Sequence, residues 1–435
     1  MTEPLRIALA GLGTVGAGVI RLLDTNGELI ARRAGRPIEV VAVSARDRTK
    51  DRGIDISRFD WVDDTAALAR HPRADVVVEL VGGSDGPAVA LVRAALAAGR
   101  HVVTANKAMI AHHGLELARA AEAANAALKF EAAVAGGVPV IKGLRDGAAA
   151  NVVTRVYGIL NGTCNFILSK MEAPREQGGG RDFADILAEA QRLGYAEADP
   201  SFDIDGVDAA HKLSILASLA FGTEPAFGDV AVSGVRHILA ADIAEAAALG
   251  YRVRLLGLAD AGPHGLFQRV HPHLIPFSHP LAHVTGSTNA VVAEGNFVGR
   301  LLFQGAGAGD GPTASAVVAD LIDIARGEFG PPYAMPADAL AAQPAADAGE
   351  RRARAYVRLT VTDKVGVLAE IAAAMRDAGV SIESLIQRAA NPDGSVLVAI
   401  VTHEVPERSV AHALEKLRGS QSLVGEPMWM HILGD

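Results

Sequence analysis

Apolar residues open the chain as a run, Leu5–Ala10, stop at Gly11, and resume at Val15, Val19, Ile20, Leu22 and Leu23 with roughly helical spacing. That pattern predicts strand, turn and helix. Further runs at Ile38–Val43, Val76–Val81 and His101–Thr104 alternate with the alanine-rich helical stretches Pro87–Ala98 and Leu115–Asn125. Alternating strands and helices predict βαβ units around a parallel sheet. After about Gly137 the rhythm changes: Val152–Leu160 and Phe267–His273 are strand-like, Phe183–Leu193 and Asp205–Phe221 helical, which predicts a second, mixed α/β domain. Thr313–Arg326 has Pro312 before it and Gly327 after it, the asymmetry of helix ends, and is expected to pack back on the first domain. Gly330–Arg352, with its Pro/Ala-rich stretch and charged end, reads as a linker. Beyond it, Ala355–Thr362, Val367–Ala378, Val380–Arg388, Ser395–Thr402, Ser409–Leu417 and Pro427–Ile432 spell β, α, β, β, α, β, a ferredoxin-like unit. The expected domains are 1–136 completed by a helix at 311–328, then 137–310, a linker at 329–352, and 353–435.

Composition narrows the partners. A chain of 435 residues, 50% hydrophobic and 21% charged, has enough apolar surface for two or three folded cores. Its net charge of −9, with no basic stripe interleaved with aromatics, argues against nucleic acid. The longest stretch free of Asp, Glu, Lys and Arg, Val270–Ala293, carries His271, His273, His279, His283 and three prolines, so no membrane span is expected. The opening residues lack a signal-peptide pattern. One cysteine, Cys164, fits a reducing compartment, and a cytoplasmic location is expected.

The turn Gly11-Leu12-Gly13-Thr14-Val15-Gly16 matches G-x-G-x-x-G directly after a strand and before a helix, the context that gives the motif meaning. Such glycines permit a tight turn and close approach of backbone to a pyrophosphate, with the helix N-terminus facing the anion. A Rossmann-like dinucleotide-binding domain follows. At the end of the second strand, where an acidic residue would hold a ribose 2′-hydroxyl, the chain has Arg46, with Arg48, Lys50 and Arg52 nearby. NADP(H) is therefore expected to be preferred, with NAD(H) possible because Asp47 and Asp51 sit among these cations.

Asp208 and Lys212 lie four apart on one helix face that continues through Ile215 and Leu219, so the pair prolongs an apolar stripe. An exposed pair at this spacing would carry no message, whereas one at the edge of a core is more often functional. Just upstream, Gly194-Tyr-Ala-Glu197-Ala-Asp199 packs carboxylates into a turn. Cys164 would be a nucleophile in a thioester-forming enzyme but is read as packing. The histidines at 271–283 have no Cys, Asp or Glu among them and are read as structural.

These motifs together resemble homoserine dehydrogenase with a C-terminal ACT domain: GLGTVG at Gly11–Gly16, TANK at Thr104–Lys107, EAAVAGGVP at Glu131–Pro139, NGTCN at Asn161–Asn165, GYAEADPS at Gly194–Ser201, GVDAAHK at Gly206–Lys212 and GAGAGDGPTASAVVADL at Gly305–Leu321. The resemblance implies a catalytic and dimerisation role for the second domain and reversible, NAD(P)H-dependent reduction of L-aspartate 4-semialdehyde to L-homoserine, in threonine, methionine and isoleucine biosynthesis. It makes Lys212 the catalytic lysine, places Lys107 between cofactor and substrate, and gives Asp208 and Glu197 the amino-acid end of the substrate. Thr104, Gly194 and Gly309 correspond to cofactor contacts. Glu131, with the carbonyls of Val134, Gly136 and Val138, corresponds to a Na⁺ site. L-Threonine is the implied effector, through an ACT loop at Thr362–Leu368, and a homodimer or homotetramer the implied assembly. The 435 residues leave no room for a fused kinase. A non-catalytic amino-acid or redox sensor built from the same two modules is the alternative, and it would need no proton donor such as Lys212.

Overall fold

The structure is a computed structural model and describes residues 3–174, 180–193, 195–388, 391 and 393–434. Its first unit is built from strands β1 (Leu5–Ala10), β2 (Ile38–Ser44), β3 (Asp60–Trp61), β4 (Val76–Glu79), β5 (His101–Thr104) and β6 (Leu128–Lys129), with helices α1 (Thr14–Ala34), α2 (Pro87–Ala97) and α3 (Lys107–Ala123). All pairings are parallel, in the order β3-β2-β1-β4-β5-β6. This order reverses direction at β1 and β4, where doubly wound sheets open a crevice for ligands at the strand C-termini. Helix α3 begins eight residues before the apolar pattern suggested. Asn106 supplies the reason, since its side chain accepts the N–H of Met109 at 3.1 Å and caps the helix there.

The second unit holds α4 (Val140–Lys142), β7 (Val153–Ile159), α5 (Gly162–Glu172), α6 (Phe183–Arg192), α7 (Ser201–Ile204), α8 (Val207–Phe221), β8 (Ala231–Val232), α9 (Ala240–Ala248), β9 (Tyr251–Gly262), β10 (Gly265–Pro276), β11 (Thr288–Gly295) and β12 (Gly299–Ala306). Helix α10 (Asp310–Arg326) returns to the first unit, where Val317, Leu321 and Ile324 share a core with Val19, Ile20 and Leu23 of α1. The last unit comprises β13 (Arg352–Thr362), α11 (Val367–Asp377), β14 (Ile382–Gln387), β15 (Ser395–Thr402), β16 (Val405–Pro406), α12 (Glu407–Arg418) and β17 (Met428–Ile432).

Two features depart from the expectation of separate modules joined by a spacer. Strand β17 pairs in parallel with β10 through His273 and His431, so the ferredoxin-like strands continue the sheet of the second unit as β12-β11-β7-β9-β10-β17-β13-β15-β14. Segment 329–352 is no free linker: Tyr333 is buried against Phe130, and Ala341 and Ala345 bridge to Thr223 and Leu266. Its Pro/Ala-rich composition marks irregular backbone, but small apolar side chains also lie flat on a surface.

Candidate active site

Strand β7 and helix α8 present their ends to one point. Lys212 Nζ donates to the carbonyl of Leu160, just past β7, at 2.8 Å and to Asp208 Oδ2 at 2.7 Å. Asp208 Oδ1 stands 2.9 Å from Nζ of Lys107, which opens α3. The third donor to this carboxylate is Asn161, whose Nδ2 gives one hydrogen to Asp208 Oδ2 and the other to Asp203 Oδ1, both at 2.8 Å. Its Oδ1 accepts the N–H of Cys164 and caps α5, so one residue starts that helix and aligns two carboxylates. Asp208 is 3% and Lys212 8% exposed, which removes this pair from the class of weak surface bridges.

The electrostatics separate the two lysines. Burial works against the charge on Lys107, but the Asp208 carboxylate outweighs it and raises the ammonium pKa above its ordinary value. For Lys212 burial wins, reinforced by Lys107, and its pKa is lowered despite Asp208. Burial opposes the Asp208 charge as well, yet the two ammoniums hold its carboxyl far below the usual carboxylate range. Of the two lysines, Lys212 is the one whose proton is the more easily given up.

These groups line a cleft of about 530 Å³ that reaches across to Val15, Gly136, Gly309 and Thr313. Its far side has the form of a nucleotide cradle. A Cβ on Gly11 would lie 2.5 Å from the Leu80 carbonyl, and one on Gly16 would lie 2.0 Å from the Gly11 carbonyl, so the fold itself requires both glycines. Gly13 is different: a Cβ there would meet nothing within 4 Å. Protein packing does not explain that glycine, while the approach of a pyrophosphate does. Helix α1 starts beside it with no side-chain cap and no acidic residue in its first turn, leaving N–H groups to face an anion. A dinucleotide fits these residues.

The other sequence-singled residues fall into three groups. Thr104 is buried, its hydroxyl donating to Glu79 at 2.6 Å and accepting from the N–H of Asn106, so it shapes the turn that carries Lys107. Glu197 is exposed outside the cleft lining, close enough for its charge to act on Lys107, and its carbonyl accepts from Gln191 Nε2 at 3.0 Å. Gly194 lies outside the described residues. Cys164 is buried with its thiol donating to the Asp203 carbonyl, and burial pushes the thiol pKa well up, which removes the thiolate that a nucleophile needs. His279 lies 3.1 Å from the Tyr157 hydroxyl, and His283 from the Phe277 carbonyl at 2.9 Å, while His271 and His273 sit in the seam between β10 and β17.

Sequence reasoning assigned no role to Asn161, Asp203 or Asn289. Asn161 carries a local signal, an Asn three residues before the N–H it caps. Asn289 carries none. It is buried on β11, lines the cleft, and its Nδ2 has no hydrogen-bond partner among the described residues. Gly307 makes room for it, since a Cβ there would stand 1.8 Å from Asn289 Oδ1.

Known proteins match this arrangement along nearly the whole chain. The family model described as homoserine dehydrogenase covers residues 139–322, its NAD-binding domain model residues 11–131, and the ACT domain model residues 355–419. The chain belongs to the homoserine dehydrogenase family. It is 45% identical to homoserine dehydrogenase of Pseudomonas aeruginosa over 97% of both chains, and 41% identical to that of Mycobacterium tuberculosis over 95% of this chain and 94% of the other. The crystal structure of a homoserine dehydrogenase from Thiobacillus denitrificans superposes with a TM-score of 0.92 at 42% identity, covering 99% of this chain and 98% of that one. A Staphylococcus aureus homoserine dehydrogenase at pH 7.5 gives 0.77 at 32% identity, covering both chains fully. The chain is a pyridine-nucleotide oxidoreductase of homoserine with a C-terminal ACT domain. Among the described residues no helix is long and apolar enough to cross a membrane.

Proposed function

We propose that the chain reduces L-aspartate 4-semialdehyde to L-homoserine reversibly, prefers NADPH, and serves threonine, methionine and isoleucine biosynthesis under feedback by L-threonine. The observation that carries the chemistry is the Asp208 carboxylate held between Lys107 and the more acidic Lys212. When bound, the reduced nicotinamide supplies the hydride. Lys212 hydrogen-bonds the aldehyde oxygen, stabilises the negative charge that develops there and delivers its proton to it. Asp208, already accepting three donors, positions both lysines; Asp203 and Glu197, whose charges both act on Lys107, remain for the substrate ammonium. Gly11, Gly13, Thr14, Val15, Gly16 and Gly309 hold the cofactor across the cleft. The test is aldehyde-dependent NADPH oxidation by the purified chain and by Lys212→Ala: turnover in the first and its loss in the second support the reading, and equal rates reject it.

The cofactor preference rests on Arg46 and Arg48, exposed at the end of β2 around a depression of about 410 Å³ shared with Thr65. Two acids line it: Asp47 turns its carboxylate onto the N–H and hydroxyl of Thr49, and Asp63 accepts the indole N–H of Trp61. A homoserine dehydrogenase from a hyperthermophilic archaeon, 27% identical, has been solved in complex with NADPH.

A monovalent cation at Glu131 fits the donor set. The Glu131 carboxylate accepts the N–H groups of Ile141 and Lys142, and its own N–H donates to Asp320 Oδ2. Burial and the charge of Asp320 raise the Glu131 pKa to about 7, and Asp320 Oδ1 is a buried oxygen without a hydrogen bond among the described residues. Two buried carboxylates that repel each other are eased by a cation. The carbonyls of Val134, Gly136 and Val138 would complete a Na⁺ site, in a turn where Ala135 and Gly136 both take positive φ. Lys142 Nζ, 4.0 Å from Asp320 Oδ1, supplies part of the same compensation.

For regulation, Gly366 takes φ 98° and opens α11 without a side-chain cap, leaving N–H groups for the carboxylate of L-threonine. Exposed Val365 and Leu368 beside it fit contact with a second copy, in a homodimer or homotetramer. Because β17 is part of the catalytic sheet, a point substitution at Gly366 tests this role better than removal of the domain.

A further inference from the structure

The motif Gly206–Lys212 places His211 directly before the proton donor, and the proposed chemistry leaves that histidine without a task. Its ring stands outside the cleft of Asp208 and Lys212 and lines a neighbouring cavity of about 420 Å³, whose wall includes Lys107, His112, Phe202 and Phe227. His211 is buried, and its Nε2 lies 3.2 Å from Nε2 of His112, so one ring donates a hydrogen and the other accepts it. Burial and His112 lower the His211 pKa to about 4, which leaves this ring uncharged at neutral pH. Two polar contacts thus fasten α3, from the nucleotide-binding unit, to α8, from the catalytic unit: His112 with His211, and Lys107 with Asp208 roughly one turn away.

The rings around His211 also form a wall beside Lys107. Phe227 lies flat on His211, with centroids 4.2 Å apart and planes at 6°, and Phe202 stacks on it at 5.5 Å and 26°. The Lys107 ammonium stands 5.7 Å from the centre of the Phe202 ring. Asp208 is its one salt-bridge partner among the described residues, and a long side chain tied at one point keeps rotamer freedom that a fixed aromatic wall removes. We propose that His211 is a positioning residue: through His112 it holds α3 against α8, through Phe202 it backs the Lys107 side chain, and so it keeps the Lys107 ammonium on Asp208. Its effect on turnover rests on the proposed place of Lys107 between cofactor and substrate; its effect on the contact of Lys107 with Asp208 does not. A histidine that only filled the interface would change stability and leave that contact as it is.

Amine labelling of the full-length chain without cofactor or substrate reads the contact directly. Burial works against the Lys107 charge, but pairing with Asp208 outweighs it and slows its reaction as a free amine. Reductive methylation with formaldehyde and a borane, followed by mass spectrometry, should therefore modify Lys107 about threefold faster or more in His211→Ala, with exposed Lys364 unchanged. His112→Ala removes the hydrogen bond at an exposed ring and should act in the same direction, which keeps the test open if His211→Ala fails to fold. His211→Gln, which can still donate to His112, should label more slowly than His211→Ala. In aldehyde-dependent NADPH oxidation, His211→Ala should lower kcat by about fivefold or more, and this loss should shrink below about twofold in a Lys107→Met background. The proposal is overturned if Lys107 labels at the wild-type rate in both His211→Ala and His112→Ala, or if the kcat losses of His211→Ala and Lys107→Met multiply in the double variant. Faster labelling in a chain without aldehyde-dependent turnover would support this positioning role while rejecting the functional reading.

Discussion

Strand β7 joins two clusters of charge that differ in burial and geometry, one buried past its C-terminal end and one half-exposed toward its N-terminal end. At its C-terminal end, past Ile159, Lys107 and Lys212 face Asp208 and Asp203, and every hydrogen of the Asn161 amide and each oxygen of Asp208 is engaged. At its other end, about 17 Å away along the strand, Arg155 is held among groups that are already paired with others. The first cluster is closed and pre-organised, which is what stabilising a developing charge requires, since donors that need not reorient cost nothing at the moment of reaction. The second is half-exposed and strung out across the sheet, each ion pair tying one strand or segment to the next. Clustering of charge alone does not mark a catalytic site; burial and convergence on one cleft do.

The closed cluster is broken most severely through its proton donor. Lys212→Ala should lower kcat for aldehyde reduction by at least ~100-fold while leaving NADPH binding, followed by fluorescence titration, nearly unchanged. Asp208→Asn should cost roughly tenfold or more in kcat and also move the pH profile. Asp208 raises the pKa of Lys212, so its neutralisation should shift the alkaline limb of the reductive rate to lower pH. An unshifted limb would show that another group supplies the proton.

Smaller effects test what surrounds the closed cluster. Arg46→Glu should weaken NADPH relative to NADH by about tenfold, or ~1.4 kcal/mol, in KM values measured side by side. Glu131 gives a stability test with a definite sign. Its pKa is raised from an ordinary 4.5 to about 7, so the native state holds a proton that the unfolded state has released. Stability from this group should fall as pH rises from about 4.5 to about 7, and Glu131→Gln should flatten that slope in melting curves. Na⁺ in place of a bulky organic cation should recover part of the loss above pH 7. Cys164→Ser should leave kcat within a few-fold, because the buried thiol donates to the Asp203 main-chain carbonyl, a bond that a serine hydroxyl can replace.

Much of this molecule is determined by local sequence. The apolar runs and glycine turn place β1, the cradle and α1 within a residue or two, and the spacing of Asp208 and Lys212 already puts both on the buried face of α8, because helical and strand periodicity are properties of neighbouring residues. The β-α-β-β-α-β order of the last unit is legible for the same reason. What tertiary structure alone decides is which distant groups meet. Nothing near Asn161 announces that its amide will bridge Asp203 and Asp208, and nothing near Asn289 that its amide will line the cleft in space left by Gly307. The Pro/Ala-rich segment 329–352 reads as a spacer because composition reports local conformation and not the surface it will lie on, so only the fold shows Tyr333 docked on Phe130. The pairing of β17 with β10 brings together main-chain groups far apart in the sequence, and the charge row that passes through Arg155 exists only through register across four strands. Periodicity is encoded residue by residue, whereas the charge balance of a buried cluster is a sum over elements that only the folded chain assembles.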